Sequence, residues 1–134
     1  MTKHSQTIAT IGRILIAAIF IMSGLGKLGA PAATQGYISA VGLPLPALGY
    51  AIAVATEVGG GMLLLVGYRT QLVTLWLAAF TVATAVFFHN NLVDQNQMIH
   101  FLKNFMIVGG LLQIAAFGAT KLSLDARRLR PRTA

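Results

Sequence analysis

The chain has no cysteine and only three acidic residues, Glu57, Asp94 and Asp125, in 134 positions. The missing thiols exclude disulfide staples, thiol–disulfide exchange with quinones, and cysteine-ligated metal or iron–sulfur centres. Charge of either sign is scarce: 10% of residues are charged and 56% are hydrophobic. A soluble domain carries about 25% charged residues, so this surface is made for lipid. Four spans of ~20 residues would use up most of the length, which leaves one membrane domain, 1–134, and no room for a soluble module.

The apolar runs cover 8–28, 47–66, 72–88 and 99–117. Their order and linker lengths predict an all-α membrane protein, a four-transmembrane-helix bundle running up-down-up-down. Pro44 and Pro46 suit the start of the second helix, and Gly67 ends it. The link from Gly29 to Pro46 carries Tyr37, Ile38, Val41 and Leu43 among small residues. It is expected to form a short interfacial segment between helices 1 and 2. Lys3, an apolar core from Ile14 to Met22 and Ala30-Pro31-Ala32 loosely fit a cleavable signal. The run is long enough to span, however, and Lys27 interrupts the approach to cleavage, so retention is expected.

A net charge of +7 raises the question of nucleic acid, but the cations are in the wrong places. Lys121, Arg127, Arg128, Arg130 and Arg132 make a basic tail, 120–134, beside the last span. Such a tail attracts anionic lipid headgroups and sets orientation; no nucleic-acid partner is expected. With four spans, Lys3, Arg13, Arg69 and the tail share one face, while the other holds only Lys27 and Lys103. Both termini are therefore expected to be cytoplasmic, in the inner (plasma) membrane.

Glu57 lies within the second apolar run. An acid at a helix centre costs about 2.5 to 3.5 kcal/mol on insertion, which its apolar neighbours can outweigh. It then needs a partner or a wet cavity. At 100° per residue, Ser23 and Lys27 share a face of the first span, with Arg13 on the same stripe. Glu57 shares its face with Ala53, Gly60 and Gly61, small residues that let another helix approach. Ala78, Thr81, Ala85 and His89 form a narrow stripe on the third. On the fourth, Lys103 and Gln113 fall on broadly one side, with Asn104 nearly opposite Gln113.

These faces are expected to converge on a polar cavity in the outer half of the bundle. Lys27, His89 and Lys103 would wall it, with Glu57 and Gln113 at its floor and Ser23 and Asn104 completing the pocket. Each residue also has a plainer reading: interfacial anchoring for the lysines, a loop end for His89, interhelical glue for Gln113, a register-fixing pair for Glu57. His4 and His100 are assigned no role, and the spacing of His89 and His100 does not point to a metal site.

Ser23-Gly24-Leu25-Gly26-Lys27-Leu28 closes the first span and Gly42-Leu43-Pro44 precedes the second. Glu57 is followed by Gly59-Gly60-Gly61, Phe88-His89 ends the third span, and Phe101-Leu102-Lys103-Asn104 opens the fourth. With Leu122-Ser123-Leu124-Asp125 after the last span, this series resembles the DoxX family of small four-helix bacterial membrane proteins. The resemblance covers nearly the whole chain. It implies association with thiosulfate:quinone oxidoreductase and with complexes that handle oxidative and sulfur stress, although many members have no established activity.

Three functions follow. The chain has no catalytic motif of its own, and whether it is an enzyme stays open; it can be an accessory membrane subunit of a quinone oxidoreductase. There Glu57 would shuttle a proton, and His89 or Lys103 would polarise a quinone carbonyl. Electrons would come from a redox partner subunit, since no flavin, haem or dinucleotide fingerprint is present. Alternatively, the acid drives a proton-coupled transporter, for which two lysines favour an anion over a cation. The third function is a non-catalytic scaffold or assembly factor whose polar residues only specify helix packing.

Overall fold

The computed structural model describes residues 2–128. Arg130 and Arg132, the last cations of the basic tail, lie outside the described residues. Six helices follow one another: α1 (Lys3–Gly29), α2 (Pro31–Ala40), α3 (Pro46–Val66), α4 (Thr70–Phe88), α5 (Gln95–Phe117) and α6 (Leu124–Arg128). Of these, α1, α3, α4 and α5 are long and apolar enough to cross a membrane. The expected four-span, all-helical class is observed, and α2 is the short segment between the first two spans.

Two helices outrun the apolar patterns that announced them because polar residues cap them. Thr2 accepts the backbone N–H of Ser5 at 3.2 Å, so α1 starts well ahead of the apolar run. Asp94 accepts from Gln97 N at 2.9 Å and starts α5 at Gln95. Such caps satisfy first-turn donors that have no intrahelical partner. Proline occupies the first position of α2 and α3, where its missing N–H is harmless.

The inner faces follow helical spacing. On α1 the buried positions are Thr10, Arg13, Ala17, Phe20 and Gly24, while Ile8, Ile11, Leu15, Ile19 and Met22 form an exposed stripe. On α4 the small and polar residues Ala78, Thr81 and Ala85 are all buried. Leu64, Leu77 and Leu111 are fully buried and, with Ala17 and Phe20, make the core.

The end of the bundle that holds the start of α1 is locked by polar contacts that the apolar pattern did not announce. Arg13 is buried and donates to the carbonyls of Leu64 on α3 (2.9 Å) and Leu122 after α5 (2.7 Å). Gly67 ends α3 at a φ of 68°, and a Cβ there would collide with the Arg13 guanidinium and Ser123. Asp125 on α6 accepts Arg69 N, Thr70 N and Thr70 Oγ1, each at 2.8 Å. It thereby caps α4 from a distant part of the chain and holds Arg69 at its left-handed φ of 45°. Burial opposes ionisation of Asp125, but these hydrogen bonds outweigh it and hold the carboxyl below the usual carboxylate value.

Candidate functional site

Glu57 sits in a widened turn. The backbone of α3 is α-helical to Val54, π-helical over Ala55–Gly60 and α-helical again from Gly61. Gly59, Gly60 and Gly61 hold an α-helix weakly, so the extra residue of a π turn is accommodated there at low cost. Such insertions recur at functional sites. They also shift the register of everything beyond them: Gly60 packs on Leu77 of α4, whereas Gly61 packs on Ile21 of α1. Gly61 therefore serves the α1 interface and Gly60 the α4 interface.

Gly24 lets α1 press against the π turn. A Cβ at that position would lie 2.6 Å from Val58 Cγ2 and 3.1 Å from Val58 N. The close approach brings the last turn of α1 over Glu57. Lys27 Nζ donates to Glu57 Oε2 at 2.8 Å and to Oε1 at 2.9 Å, and Ser23 Oγ donates to Oε1 at 3.2 Å. Ser23 and Lys27 are themselves joined, Nζ to Oγ, at 3.0 Å, as neighbours four residues apart. The Glu57 side chain is 8% exposed and that of Lys27 28%. This is the ion pair found among the described residues, and it offsets the cost of placing a lone carboxylate in hydrocarbon.

The pair lines a cavity of about 580 Å³ between α1, α2, α3 and α4, with Asn104 of α5 at its edge. Ser23, Lys27, Glu57, His89 and Asn104 form its polar wall. The remainder is largely apolar and aromatic, with Tyr37, Ile38, Phe80, Phe87 and Phe88 prominent. Helix α2 roofs this space. Ile38 is buried, and Tyr37 donates its hydroxyl to the Phe88 carbonyl at 3.1 Å with the two rings 5.3 Å apart.

Two residues expected in the pocket are elsewhere. Lys103 is exposed and does not line the cavity. Gln113 is exposed beside a second, smaller cavity of about 240 Å³, which Arg13 and Thr120 also line. Lys103 stands beside Asn104 at the depth of the cavity, but its azimuth turns it out of the bundle, whereas Gln113 lies nine residues, or about 14 Å, further along the axis. Asn104, on the opposite azimuth from Gln113, is the α5 residue at the main cavity.

His89, the residue that ends α4, is half-buried. Its Nδ1 meets Gln97 Oε1 at 2.9 Å, and its ring stacks on His100 with centroids 5.0 Å apart. The sequence reading missed Gln97, His100 and the aromatic wall as parts of the site. Only Phe88-His89, and Tyr37 in a linker otherwise rich in small residues, signalled the wall in advance.

The sequence profile of the DoxX family matches residues 8–90. The inner membrane protein YqjF of Escherichia coli is 36% identical over 128 residues, which is 93% of this chain and 95% of the relative. The inner membrane protein YphA of the same organism is 35% identical over 123 residues, 87% of each. No solved structure gives a significant match. With a profile spanning most of the chain, two relatives matched nearly end to end and four membrane-crossing helices, the chain belongs to the DoxX family as an integral inner membrane protein.

Proposed function

We propose that the chain is a single integral membrane unit that binds a quinone-type head group in the cavity above Glu57, as an accessory subunit of a redox assembly. The observation that carries this reading is a part-buried, hydrogen-bonded ion pair facing an aromatic slot. A quinone needs flat apolar walls for its ring and polar groups at its oxygens. Tyr37, Phe80, Phe87 and Phe88 offer the walls, while Lys27, Glu57, Ser23, Asn104 and His89 offer the polar groups. The volume falls within the usual range for small-molecule sites, about 300 to 1,000 Å³. The Lys27–Glu57 pair can donate to a ring oxygen or take a proton from it. Electrons come from a partner subunit. Lys103, exposed on α5, has no part in this reading.

Orientation belongs to the same proposal. Lys3, Arg13, Arg69, Lys121, Arg127, Arg128, Arg130 and Arg132 outnumber Lys27 and Lys103 across the bundle, so both termini face the cytoplasm. The cavity then opens towards the outer side, and the basic tail meets anionic headgroups.

Titration of a short-chain quinone into the purified protein in lipid nanodiscs, followed by calorimetry, tests the reading. Saturable one-site binding that weakens at least ten-fold in Lys27→Met is the expected result. A folded protein with no saturable binding would leave a scaffold role. Glu57-dependent proton-coupled flux in liposomes would instead favour a transporter.

A further inference from the structure

Gln97 has no place in the reading above, yet it touches His89, whose imidazole lines the cavity. Its backbone N–H is held by Asp94 at 2.9 Å, which fixes the first turn of α5. Its side-chain Oε1 lies 2.9 Å from His89 Nδ1. The amide is placed with its Oε1 towards the ring, and an amide oxygen accepts a hydrogen bond, so this placement pairs with a proton on Nδ1. In a neutral imidazole the other nitrogen, Nε2, then presents a lone pair. Among the described residues, Nε2 makes no hydrogen bond of its own, and it is not one of the buried atoms left without a partner.

The groups around His89 have other partners. The ring of His100 is stacked on it from α5, and Tyr37 from α2 spends its hydroxyl hydrogen on the Phe88 carbonyl. Lys27 and Glu57, from α1 and α3, line the same cavity as a closed ion pair. Among the described residues that line the cavity, Glu57 is the one carboxylate, and it is paired with Lys27.

Resting on the quinone reading, we infer that Gln97 is a positioning residue that makes His89 a hydrogen-bond acceptor, and that the cavity therefore selects the hydroxyl-bearing, reduced form of the head group. A quinone carbonyl has only lone pairs to offer and is repelled by the Nε2 lone pair. A hydroquinone hydroxyl donates to it. On this inference the imidazole takes a hydrogen bond from the ligand rather than polarising a carbonyl.

The test uses the full chain in nanodiscs in alkaline buffer, where imidazole is neutral. Nitrogen-15 NMR of labelled histidine reads the tautomer, with His4→Gln and His100→Phe assigning the signals. His89 is expected as the Nδ1–H tautomer in the wild type, with the Nε2–H form gaining population in Gln97→Leu. A decyl hydroquinone is expected to bind about ten-fold tighter than the matching quinone, the equivalent of ~1.4 kcal/mol or one net hydrogen bond. Gln97→Leu should bring that ratio close to one. An Nε2–H wild-type ring, or equal binding of the two forms, overturns this inference and leaves the quinone site standing. Binding of neither form while His89 shows Nδ1–H overturns the quinone reading and the selectivity with it.

Discussion

Removing Lys27 should do more damage than removing Glu57, and the asymmetry follows from where each side chain sits. In Lys27→Met the carboxylate stays at 8% exposure with only Ser23 to donate to it. Breaking a fully buried pair this way costs about 3 to 5 kcal/mol. Lys27 is 28% exposed, so part of its interaction is already screened, and about 2 to 4 kcal/mol is the expected loss. In Glu57→Gln the freed ammonium can bend outward to water on its four-carbon stem, and the amide still accepts from Ser23. That variant should lose only about 1 to 2 kcal/mol. The double variant leaves no buried charge at this point and should be more stable than the sum of the two losses implies. Equilibrium unfolding of all four proteins in mixed micelles gives the cycle. A coupling of at least about 1 kcal/mol is expected, since contacting groups couple by about 0.5 to 3 kcal/mol. Additive losses, or Glu57→Gln proving the more damaging, would refute the assignment of a buried carboxylate held by a half-wet lysine.

Other consequences can be measured separately. Gly24→Val should weaken the protein by about 1 to 3 kcal/mol, because the added carbons drive α1 off Val58 and the π turn; loss of ligand binding should accompany it. Asp125→Ala should cost about 0.5 to 2 kcal/mol in unfolding experiments, the range for a lost helix cap. Since its folded-state value is depressed, the contribution of Asp125 is complete above the unfolded carboxylate value of about 3.9. It is lost as pH falls through the lower folded value, so acid should destabilise the wild type more steeply there than Asp125→Ala. The cysteine-free background allows a topology test. In intact cells an impermeant maleimide should label Gly36→Cys from outside and leave the exposed Lys121→Cys untouched.

Much of this architecture is written in hydrophobic spacing. The apolar runs mark four helices, and the stripe Ala78–Thr81–Ala85 on α4 is buried as its period requires. The triad of Ser23, Lys27 and Glu57 was legible because Ser23 and Lys27 share a face four residues apart and an isolated acid demands a cation. The π turn was not, since an inserted residue leaves no periodic trace in a short helix. Lys103 and Gln113 were misplaced because the face of α5 that meets the cavity is the one carrying Asn104. The lock formed by Arg13, Gly67 and Asp125 joins segments more than fifty residues apart through backbone carbonyls and amides, which no side-chain pattern encodes.

The most direct measurement is photolabelling of native membranes with an azidoquinone, followed by mass spectrometry of the peptides. Adducts confined to Tyr37, Phe87 and Phe88, and displaced by unlabelled hydroquinone, are the expected outcome. Labelling spread over the exposed residues of α5, or undiminished by competitor and by Lys27→Met, would contradict a head-group site built on the paired carboxylate.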